Sequence, residues 1–448
     1  MNQMMPPVAA GRHDIAAIIG NRVQPVRDSF DFDGWTIPAA TSRDIAMALK
    51  SARNRPANDL SRVVEVLAQV GRDADWITDA DMDLISARVG CTRSYLGESM
   101  ARLNAWLAEI PAFVARLGTP GPDGYRTDTG LWRGGLSTTL VLAGDASALG
   151  PLALSHMLLS GSRTIAKGSK YEPLAPTLFL RRLMEYGLQV PDLLYIDTAA
   201  EDATTLTARL IGNTAQSVIY GADATLQTIY GSAEVAMTHK KIAFLSGRSG
   251  AVVLDDADPE TAARIVLKGV AEDRGNRCYS TKKVFVPQAM MPAFLGHLTR
   301  QADALTRGAP EHPATDIGRL ASDGRRVTDM KIGGSKVLYD TDILVVEAGD
   351  DDALLLEEMP YPVCAVRPYG DDEDPVALFN RSSQERQGHT ALAVSVITQD
   401  AALFETAARS LNATKVLHSK PTIDIDHHTS HQGLYLFREL MRFKEICA

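Results

Sequence analysis

The sequence has 448 residues, of which 45% are apolar and 23% charged, with a formal net charge of −9. These values are ordinary for a folded chain of about two domains, and they exclude intrinsic disorder and a fibrous class. The negative charge and the lack of a long basic run argue against a nucleic-acid-binding surface. No apolar stretch is long enough to cross a bilayer and no secretion signal is recognisable, so we expect a cytoplasmic protein.

The first part of the chain is predicted to be helical. Residues 41–72 contain two helical patterns, each opened by a polar residue that can cap a helix, with a break near Pro56. Residues 79–117 also have helical patterns. A segment rich in Gly, Pro, Asp and Thr follows at 119–130 and predicts turns.

Short apolar β-type runs alternate with helical patterns after these turns. Such alternation is typical of parallel α/β sheets. The pattern resumes after about residue 245, which predicts a second α/β unit. The runs, in chain order, are 136–144, 152–161, 162–168, 176–187 and 193–198, and then 251–258, 260–273, 280–287, 341–348 and 391–400.

Four cysteines are scattered along the chain without a CxxC pair, which favours a reducing compartment and gives no disulfide or zinc framework. Cys278 differs from the others because it follows Gly-Asn-Arg in a loop between a helical pattern and a β-type run. Such a loop can expose a nucleophile on a rigid scaffold. Judged alone, a single cysteine is more often a small buried apolar residue. Cys91, Cys364 and Cys447 have no comparable context, and we expect them to be structural.

The segment GNRCYSTKKVFV (275–286) resembles the catalytic-cysteine segment of the aldehyde dehydrogenase superfamily. Five other segments resemble motifs of that superfamily, and all six occur in the family's order over roughly residues 125–400. Within it, the chain is most similar to acyl-CoA reductases of the bioluminescence fatty-acyl reductase type. The five other segments lie at 164–170, 229–235, 243–263, 354–366 and 388–400.

The resemblance implies an α/β fold with two Rossmann-type parallel-sheet domains and a small oligomerisation element. We expect a cofactor-binding domain at 1–244, with an oligomerisation hairpin at about 119–136, and a catalytic domain at 245–418. Residues 419–448 would form a C-terminal packing or oligomerisation segment. A homodimer or homotetramer is implied as well.

The same resemblance assigns residues to a nicotinamide dinucleotide. Gly231 and Ser232 are expected at the start of a helix that follows a strand, where backbone N–H groups can bind a pyrophosphate. Lys167 and Ser169 match the segment at the adenosine ribose. Glu358 matches the second acid of the family's Glu-Glu pair, which binds the ribose on the nicotinamide side, with Glu357 as the alternative.

Lys170 indicates which of the two cofactors, NAD or NADP, the protein binds. It stands where NAD-preferring members carry a glutamate for the ribose hydroxyls. An ammonium attracts the 2′-phosphate that a carboxylate would repel, so we expect NADP. The competing interpretation is a solvated surface lysine.

The identity of residue 244, a phenylalanine, indicates which reaction follows formation of the acyl-enzyme. Phe244 aligns with the glutamate that serves as general base in hydrolytic members, and its separation from Cys278 agrees with the family's spacing. A positioned base commonly contributes about 10²- to 10⁴-fold in rate, so without one the acyl-enzyme would hydrolyse slowly. We therefore expect an acyl-thioester reductase with coenzyme A as co-substrate, in which the Cys278 thiolate attacks an acyl-CoA or acyl-carrier-protein thioester and NADPH reduces the acyl-enzyme to an aldehyde.

Asp145 stands where the family has an asparagine that donates a hydrogen bond to the oxyanion. An ionised carboxylate would repel the developing negative charge, so Asp145 must be protonated, rotated away or functionally replaced. Two alternatives stay open beside the thioester reductase, one because glutamyl phosphate reductases share the nucleophile and also lack the base, the other because Asp145 weakens the oxyanion site. One is an acyl-phosphate reductase of the glutamyl phosphate reductase type, and the other is a noncatalytic homologue.

The C-terminal region contains the motif DIDHHTSH at 424–431. Its two aspartates and three histidines could bind a metal, but no separate ligand cluster supports this, and we predict no metal site. Residues 434–446 have a helical pattern, with an apolar stripe of Leu436, Leu440 and Phe443. We expect this helix to pack against the body or a partner subunit.

Overall fold

The N-terminal region of the computed structural model is helical. The structure describes residues 15–446 except 143, 145, 146, 233, 234, 321 and 384–390. The two helices predicted for 41–72 are confirmed, and the side chains of Thr41 and Asp59 accept backbone N–H bonds at their N-termini. The elements are β1 (Ser29–Phe32), β2 (Trp35–Pro38), α1 (Ser42–Asn54), α2 (Leu60–Asp73), α3 (Asp79–Val89), α4 (Arg93–Ala108), α5 (Ile110–Ala115), β3 (Thr119–Gly121), β4 (Gly124–Arg126) and β5 (Gly130–Arg133).

The first parallel sheet has five strands in the order β10-β9-β6-β7-β8. The predicted alternation of β-type and helical runs is confirmed here. Its elements are β6 (Ser137–Val141), α6 (Leu149–Leu159), β7 (Arg163–Lys167), α7 (Leu174–Glu185), β8 (Asp192–Leu194), α8 (Ala203–Gly212), β9 (Gln216–Tyr220), α9 (Asp223–Ser232) and β10 (Lys240–Phe244).

The second sheet has seven strands in the order β13-β14-β15-β12-β11-β16-β17, all parallel except the edge strand β13. Every residue of the inner strands β12 and β16 is buried, as expected for a sheet covered on both faces. Its elements are β11 (Gly250–Val253), α10 (Pro259–Ala271), β12 (Lys283–Pro287), α11 (Met291–Asp303), α12 (Ser322–Asp329), β13 (Lys336–Asp340), β14 (Leu344–Glu347), α13 (Ala353–Leu356), β15 (Val363–Tyr369), α14 (Pro375–Ser383), β16 (Ala391–Ile397), α15 (Ala401–Ser410) and β17 (Ala413–His418).

The C-terminal segment corrects one prediction. Only α16 (Leu436–Glu439) is helical, and the chain then forms β18 (Arg442–Glu445), which pairs antiparallel with β5. The helix predicted for 434–446 is therefore wrong beyond Leu440, because the backbone of 442–445 hydrogen-bonds to the hairpin strand instead. Leu436 and Leu440 are buried, whereas Phe443 stays 42% exposed against the Trp132 ring.

The two parallel sheets confirm the predicted α/β fold class. β10 ends the first sheet at Phe244, and β11 begins the second sheet at Gly250. The functional division into cofactor-binding and catalytic domains, and the oligomerisation role of the β3–β5 hairpin and of the C-terminal segment, stay predictions. No helix in the described part of the chain is both long enough and apolar enough to span a bilayer.

Candidate active site

A cavity of about 340 Å³ opens at the carboxyl edge of the first sheet. The chain leaves β6 towards β7 and β8, and later returns to the other side of β6 to form β9 and β10. The loops after β6 and β9 therefore diverge, which creates the crevice where open α/β sheets bind ligands. Gly221 and Ala222, directly after β9, line this cavity together with Cys278, Phe244 and Glu358.

Gly231 and Ser232 do not occupy the position that the sequence predicted. They are the last two residues of α9, so they lie at the end of a helix and not at its start. The turn from strand to helix is formed by Gly221 and Ala222, and the Ala222 carbonyl accepts the first helical bond from Leu226 N (3.1 Å). The N-terminus of α9 therefore follows Ala222.

Lys167, Ser169 and Lys170 lie together at the end of β7 and in the loop after it. Burial is the main cause that lowers the pKa of Lys167, to about 8, and the charge of Lys170 adds to it. Ser169 Oγ accepts a bond from Tyr171 N (3.1 Å), and Lys170 Nζ lies 4.3 Å from the Phe32 ring centroid. This loop shares the carboxyl edge of the sheet with the cavity but does not line the cavity itself.

Cys278 lies in a loop that hydrogen bonds connect to the second sheet. Ser249 Oγ donates to the Cys278 carbonyl (3.0 Å) and accepts a bond from Ala393 N (3.1 Å). Just before the cysteine, Asp273, Arg274 and Gly275 have φ values of 47°, 61° and 63°. Two of these three residues are not glycine, so the turn is strained and must be held by its surroundings.

A buried ion pair supports this strained turn. The Asp273 carboxylate contacts Arg277 Nε and lies 3.4 Å from Arg274 Nη2. Arg274 Nη1 in turn donates to the Val89 carbonyl (2.9 Å). The turn is thereby attached to the helical N-terminal region, and Arg277 is held beside the neighbouring Cys278.

The surroundings of Cys278 favour the thiol over the thiolate. Burial raises its pKa to about 12, the nearby Glu358 carboxylate adds to the rise, and the Arg277 guanidinium opposes it. A thiolate, not a thiol, is the nucleophile. Attack therefore requires that substrate or cofactor change this environment.

Glu358 is the acid of the Glu-Glu pair that faces Cys278. Its Oε2 accepts a bond from Gly247 N (2.8 Å), and burial raises its pKa, although Lys282 opposes that rise. Glu357 instead pairs with Lys331 (3.0 Å) and does not line the cavity. Among the described residues that line the cavity, Glu358 is the only carboxylate.

An aromatic cluster forms the wall beside Cys278. Phe244, the last residue of β10, is 3% exposed and stacks on Tyr220, with 4.6 Å between ring centroids. The His431 ring meets Phe244 edge-on at 4.8 Å, and its Nδ1 contacts the hydroxyl of Tyr279. Burial lowers the pKa of His431 to about 3, so this imidazole is neutral.

His431 belongs to the DIDHHTSH motif, which the sequence singled out only for metal binding. Within the described residues, no three His, Cys, Asp or Glu side chains come together as a metal-binding group. His428 instead contacts Asp426 (2.8 Å) and Glu109 (3.0 Å). The remaining predicted site residue, Asp145, lies outside the described residues.

Comparison with known proteins places these features in a family. The sequence profile of the aldehyde dehydrogenase family matches residues 149–435, which is more than half of the chain. The chain belongs to the aldehyde dehydrogenase family.

Similar aldehyde dehydrogenases match only part of the chain in sequence. A vanillin dehydrogenase of Pseudomonas fluorescens is 31% identical over 180 residues, which cover 39% of this chain and 37% of that protein. A betaine aldehyde dehydrogenase of Cereibacter sphaeroides is 26% identical over 260 residues, covering 54% and 52%. The matched segments thus span about a third to a half of these relatives' own length.

Solved structures of aldehyde dehydrogenases match nearly the whole fold. The Mycobacterium tuberculosis aldehyde dehydrogenase complexed with NAD+ gives a TM-score of 0.80 at 18% identity and covers 96% of this chain and 97% of that one. A glyceraldehyde-3-phosphate dehydrogenase of Methanocaldococcus jannaschii complexed with NADP gives 0.74 at 17% identity, covering 98% and 99%. At these identities the likeness establishes the aldehyde dehydrogenase fold.

Gly247 is predicted to be essential for the geometry of this aldehyde dehydrogenase site. A Cβ at this position would lie 1.8 Å from the Cys278 carbonyl oxygen, while the backbone N–H holds Glu358. Gly247→Ala must therefore displace the nucleophile loop, and we expect turnover to fall about 10²-fold, as for a misplacement of roughly 1 Å. Turnover is followed by NAD(P)H absorbance, and thermal unfolding reports on the fold.

The matched control is Gly296→Ala on the exposed side of α11. A Cβ there meets nothing within 4 Å, so we expect unchanged turnover and a helix stabilised by about 1 kcal/mol. Equal turnover of Gly247→Ala and the native protein would show that the loop tolerates the added methyl group.

Proposed function

We propose that this member of the aldehyde dehydrogenase family is an NADP-dependent acyl-thioester reductase. The Cys278 thiolate attacks the thioester carbonyl of an acyl-CoA or acyl-carrier protein, the thiol of the donor leaves, and an acyl-cysteine remains. NADPH, when bound, supplies the hydride that converts the acyl group to an aldehyde. Release of the aldehyde breaks the bond to sulfur and returns the Cys278 thiolate.

The observation that carries this proposal is the side chain of Phe244. It is an apolar ring in the same cavity as Cys278, and the sequence resemblance aligns it with the family's general base. The remaining carboxylate, Glu358, accepts the Gly247 N–H (2.8 Å) and matches a ribose-binding residue. Among the described residues that line the cavity, no carboxylate is therefore left for activating water, and a thiol is the better acyl-group partner.

The residues at the sheet edge fit a phosphorylated dinucleotide. The first N–H groups of α9 follow the Gly221–Ala222 turn and can bind a pyrophosphate. Glu358 can accept hydrogen bonds from ribose hydroxyls. Lys167 and Lys170 bring two ammonium groups to the end of β7, where a 2′-phosphate would be attracted.

Lys170→Glu is expected to weaken the preference for NADPH over NADH. Loss of an ammonium–phosphate contact and its replacement by repulsion should reduce the preference for NADPH over NADH by about tenfold to hundredfold. The dissociation constants of both cofactors are measured by fluorescence quenching. Lys170→Met is the matched variant, because it keeps apolar packing on Phe32 and removes only the charge. An unchanged preference in Lys170→Glu would remove Lys170 from the cofactor site.

A second candidate is aldehyde oxidation to a free acid, which His431 favours. Its neutral imidazole lies beside Phe244 in the cavity and could orient an attacking water by a hydrogen bond. The vanillin and betaine aldehyde dehydrogenases named above are dehydrogenases of aldehydes. This candidate predicts that an acid forms from aldehyde and NADP+ without any thiol.

One experiment separates the two candidates. Acyl-CoA and acyl-carrier-protein substrates of several chain lengths, with an acyl phosphate alongside, are incubated with NADPH, and aldehyde and NADPH are quantified. Aldehydes are incubated in parallel with NADP+, with and without coenzyme A. We expect thioester-dependent aldehyde formation and coenzyme A-dependent oxidation. Acid formation without coenzyme A, together with no thioester reduction, would contradict the proposal.

A further inference from the structure

Lys282 is a buried lysine that the reaction described above does not use. Its side chain is 3% exposed, four residues after Cys278 and directly before β12. Its Nζ contacts the carbonyl oxygens of Gly275, Met359 (2.5 Å) and Tyr361 (3.2 Å). An ammonium has three donors, and here three backbone carbonyls surround it.

The three carbonyls belong to two functional loops. Gly275 ends the strained turn three residues before Cys278, whereas Met359 directly follows Glu358. Lys282 therefore joins the nucleophile loop to the loop of the carboxylate assigned to the ribose. A buried ammonium that loses a partner is costly, so a movement of one loop is resisted unless the other follows.

Electrostatic contacts run between the same groups. Glu358 and Cys278 both favour the charged form of Lys282, against burial, which lowers its pKa to about 8. Glu358 in turn raises the pKa of Cys278. A ligand bound to the Glu358 carboxylate therefore changes the electrostatic surroundings of both the Lys282 ammonium and the Cys278 thiol.

The adjacent Lys283 provides a natural comparison. It is 1% exposed, and its Nζ donates to the Ser382 carbonyl and to Ser383 Oγ, both at 3.0 Å. Successive residues of an extended chain point to opposite faces, so Lys283 points away from the active-site loops. Both lysines are buried and hydrogen-bonded to backbone, but only Lys282 contacts the loops of Cys278 and Glu358.

We propose that Lys282 is a positioning residue that couples occupation of the cofactor site at Glu358 to the reactivity of the Cys278 thiol. Ribose binding shifts the Glu358 loop, the Met359 and Tyr361 carbonyls transmit the shift to the ammonium, and the Gly275 carbonyl passes it to the strained turn. This inference rests on the proposed function, because it requires that Glu358 bind the cofactor.

The test measures the alkylation rate of Cys278 by iodoacetamide with and without NADP+, using mass spectrometry to identify the modified residue. Cofactor binding to the same samples is measured directly by fluorescence. In the native protein we expect NADP+ to change the rate by about fivefold or more, the lower end of ordinary coupling between sites. Lys283→Met should keep this ratio. Lys282→Met should bind NADP+ but bring the ratio close to one.

The outcomes separate the inference from the function on which it rests. NADP+ binding with a native-like ratio in Lys282→Met would overturn the coupling alone, as would a native ratio of one. Absence of NADP+ binding to the native protein would overturn the proposed function and the coupling with it. If Lys282→Met does not fold, Lys282→Gln serves in its place, since it keeps two N–H donors, and a ratio between one and the native value is expected.

Discussion

The Cys278→Ala variant is expected to form no acyl-enzyme, and its turnover should be lower than that of the native protein by at least about 10³-fold. Removal of a covalent nucleophile eliminates the first step of the reaction. The cavity and its lining loops should persist, since the Cys278 loop is held through its backbone carbonyl by Ser249. Intact-protein mass spectrometry after exposure to acyl-CoA measures the adduct, and NADPH absorbance measures turnover.

Cys364→Ala is the matched control for this variant. Cys364 is fully buried in β15 and does not line the cavity, so the variant should be less stable but should still form the adduct. An adduct of equal yield in Cys278→Ala would assign the nucleophile to another residue and would contradict the covalent mechanism.

Phe244→Glu is expected to turn acyl transfer towards hydrolysis. The new carboxylate would stand in the cavity with Cys278, where it can take a proton from water, and a positioned base contributes about 10²- to 10⁴-fold. We therefore expect hydrolysis of the acyl-enzyme to rise about 10²-fold. The measurement is the release of free acid from the acylated protein in the absence of coenzyme A and cofactor.

Phe244→Gln is the control, since it has nearly the same shape as the glutamate but cannot accept a proton as a base. Both variants lose the stacking on Tyr220 and should unfold at similarly reduced temperatures. Equal rates of acid release in the two variants would mean that Phe244 does not stand in place of the base. Acid release from the native protein as fast as from Phe244→Glu would instead favour water oriented by His431 as the acyl-group acceptor.

The α/β core was predictable because β-type apolar runs alternate with helical patterns along its sequence. Nearly continuous apolar runs such as 391–397, buried along their whole length, are typical of a sheet that is covered on both faces. The helices between the strands carry their own signals, such as the side-chain cap of Asp258 on α10. In this region the local sequence pattern and the tertiary fold favour the same elements, so the sequence predicts the fold.

The error at Gly231 and Ser232 has a simple cause. Ile-Tyr-Gly occurs twice, at 219–221 and at 229–231, and only the first copy ends a strand. Pairing of β9 between β6 and β10 decides which glycine begins the helix, and pairing is a tertiary property. The strand at 442–445 was missed for the same reason, since its partner, β5, lies some three hundred residues earlier in the chain.

The roles of Lys282 and His431 could not be predicted from local sequence at all. Lysines are mostly exposed, and the pair Lys282–Lys283 has no pattern that indicates complete burial. His431 reaches the cavity because the C-terminal segment folds back on β10, where its ring contacts Phe244. In both cases the function depends on partners that are distant in the sequence.

The protonation of Lys282 has a consequence for any thioester formed on Cys278. An amine that carries a lone pair captures a thioester as a stable amide, which would permanently inactivate the chain. With a pKa of about 8, Lys282 is mostly an ammonium at neutral pH, and its N–H groups point at carbonyl oxygens. The hydrogen bonds of the ammonium to these carbonyls therefore oppose acyl migration from sulfur to nitrogen, although an amine-bearing residue lies only four positions away.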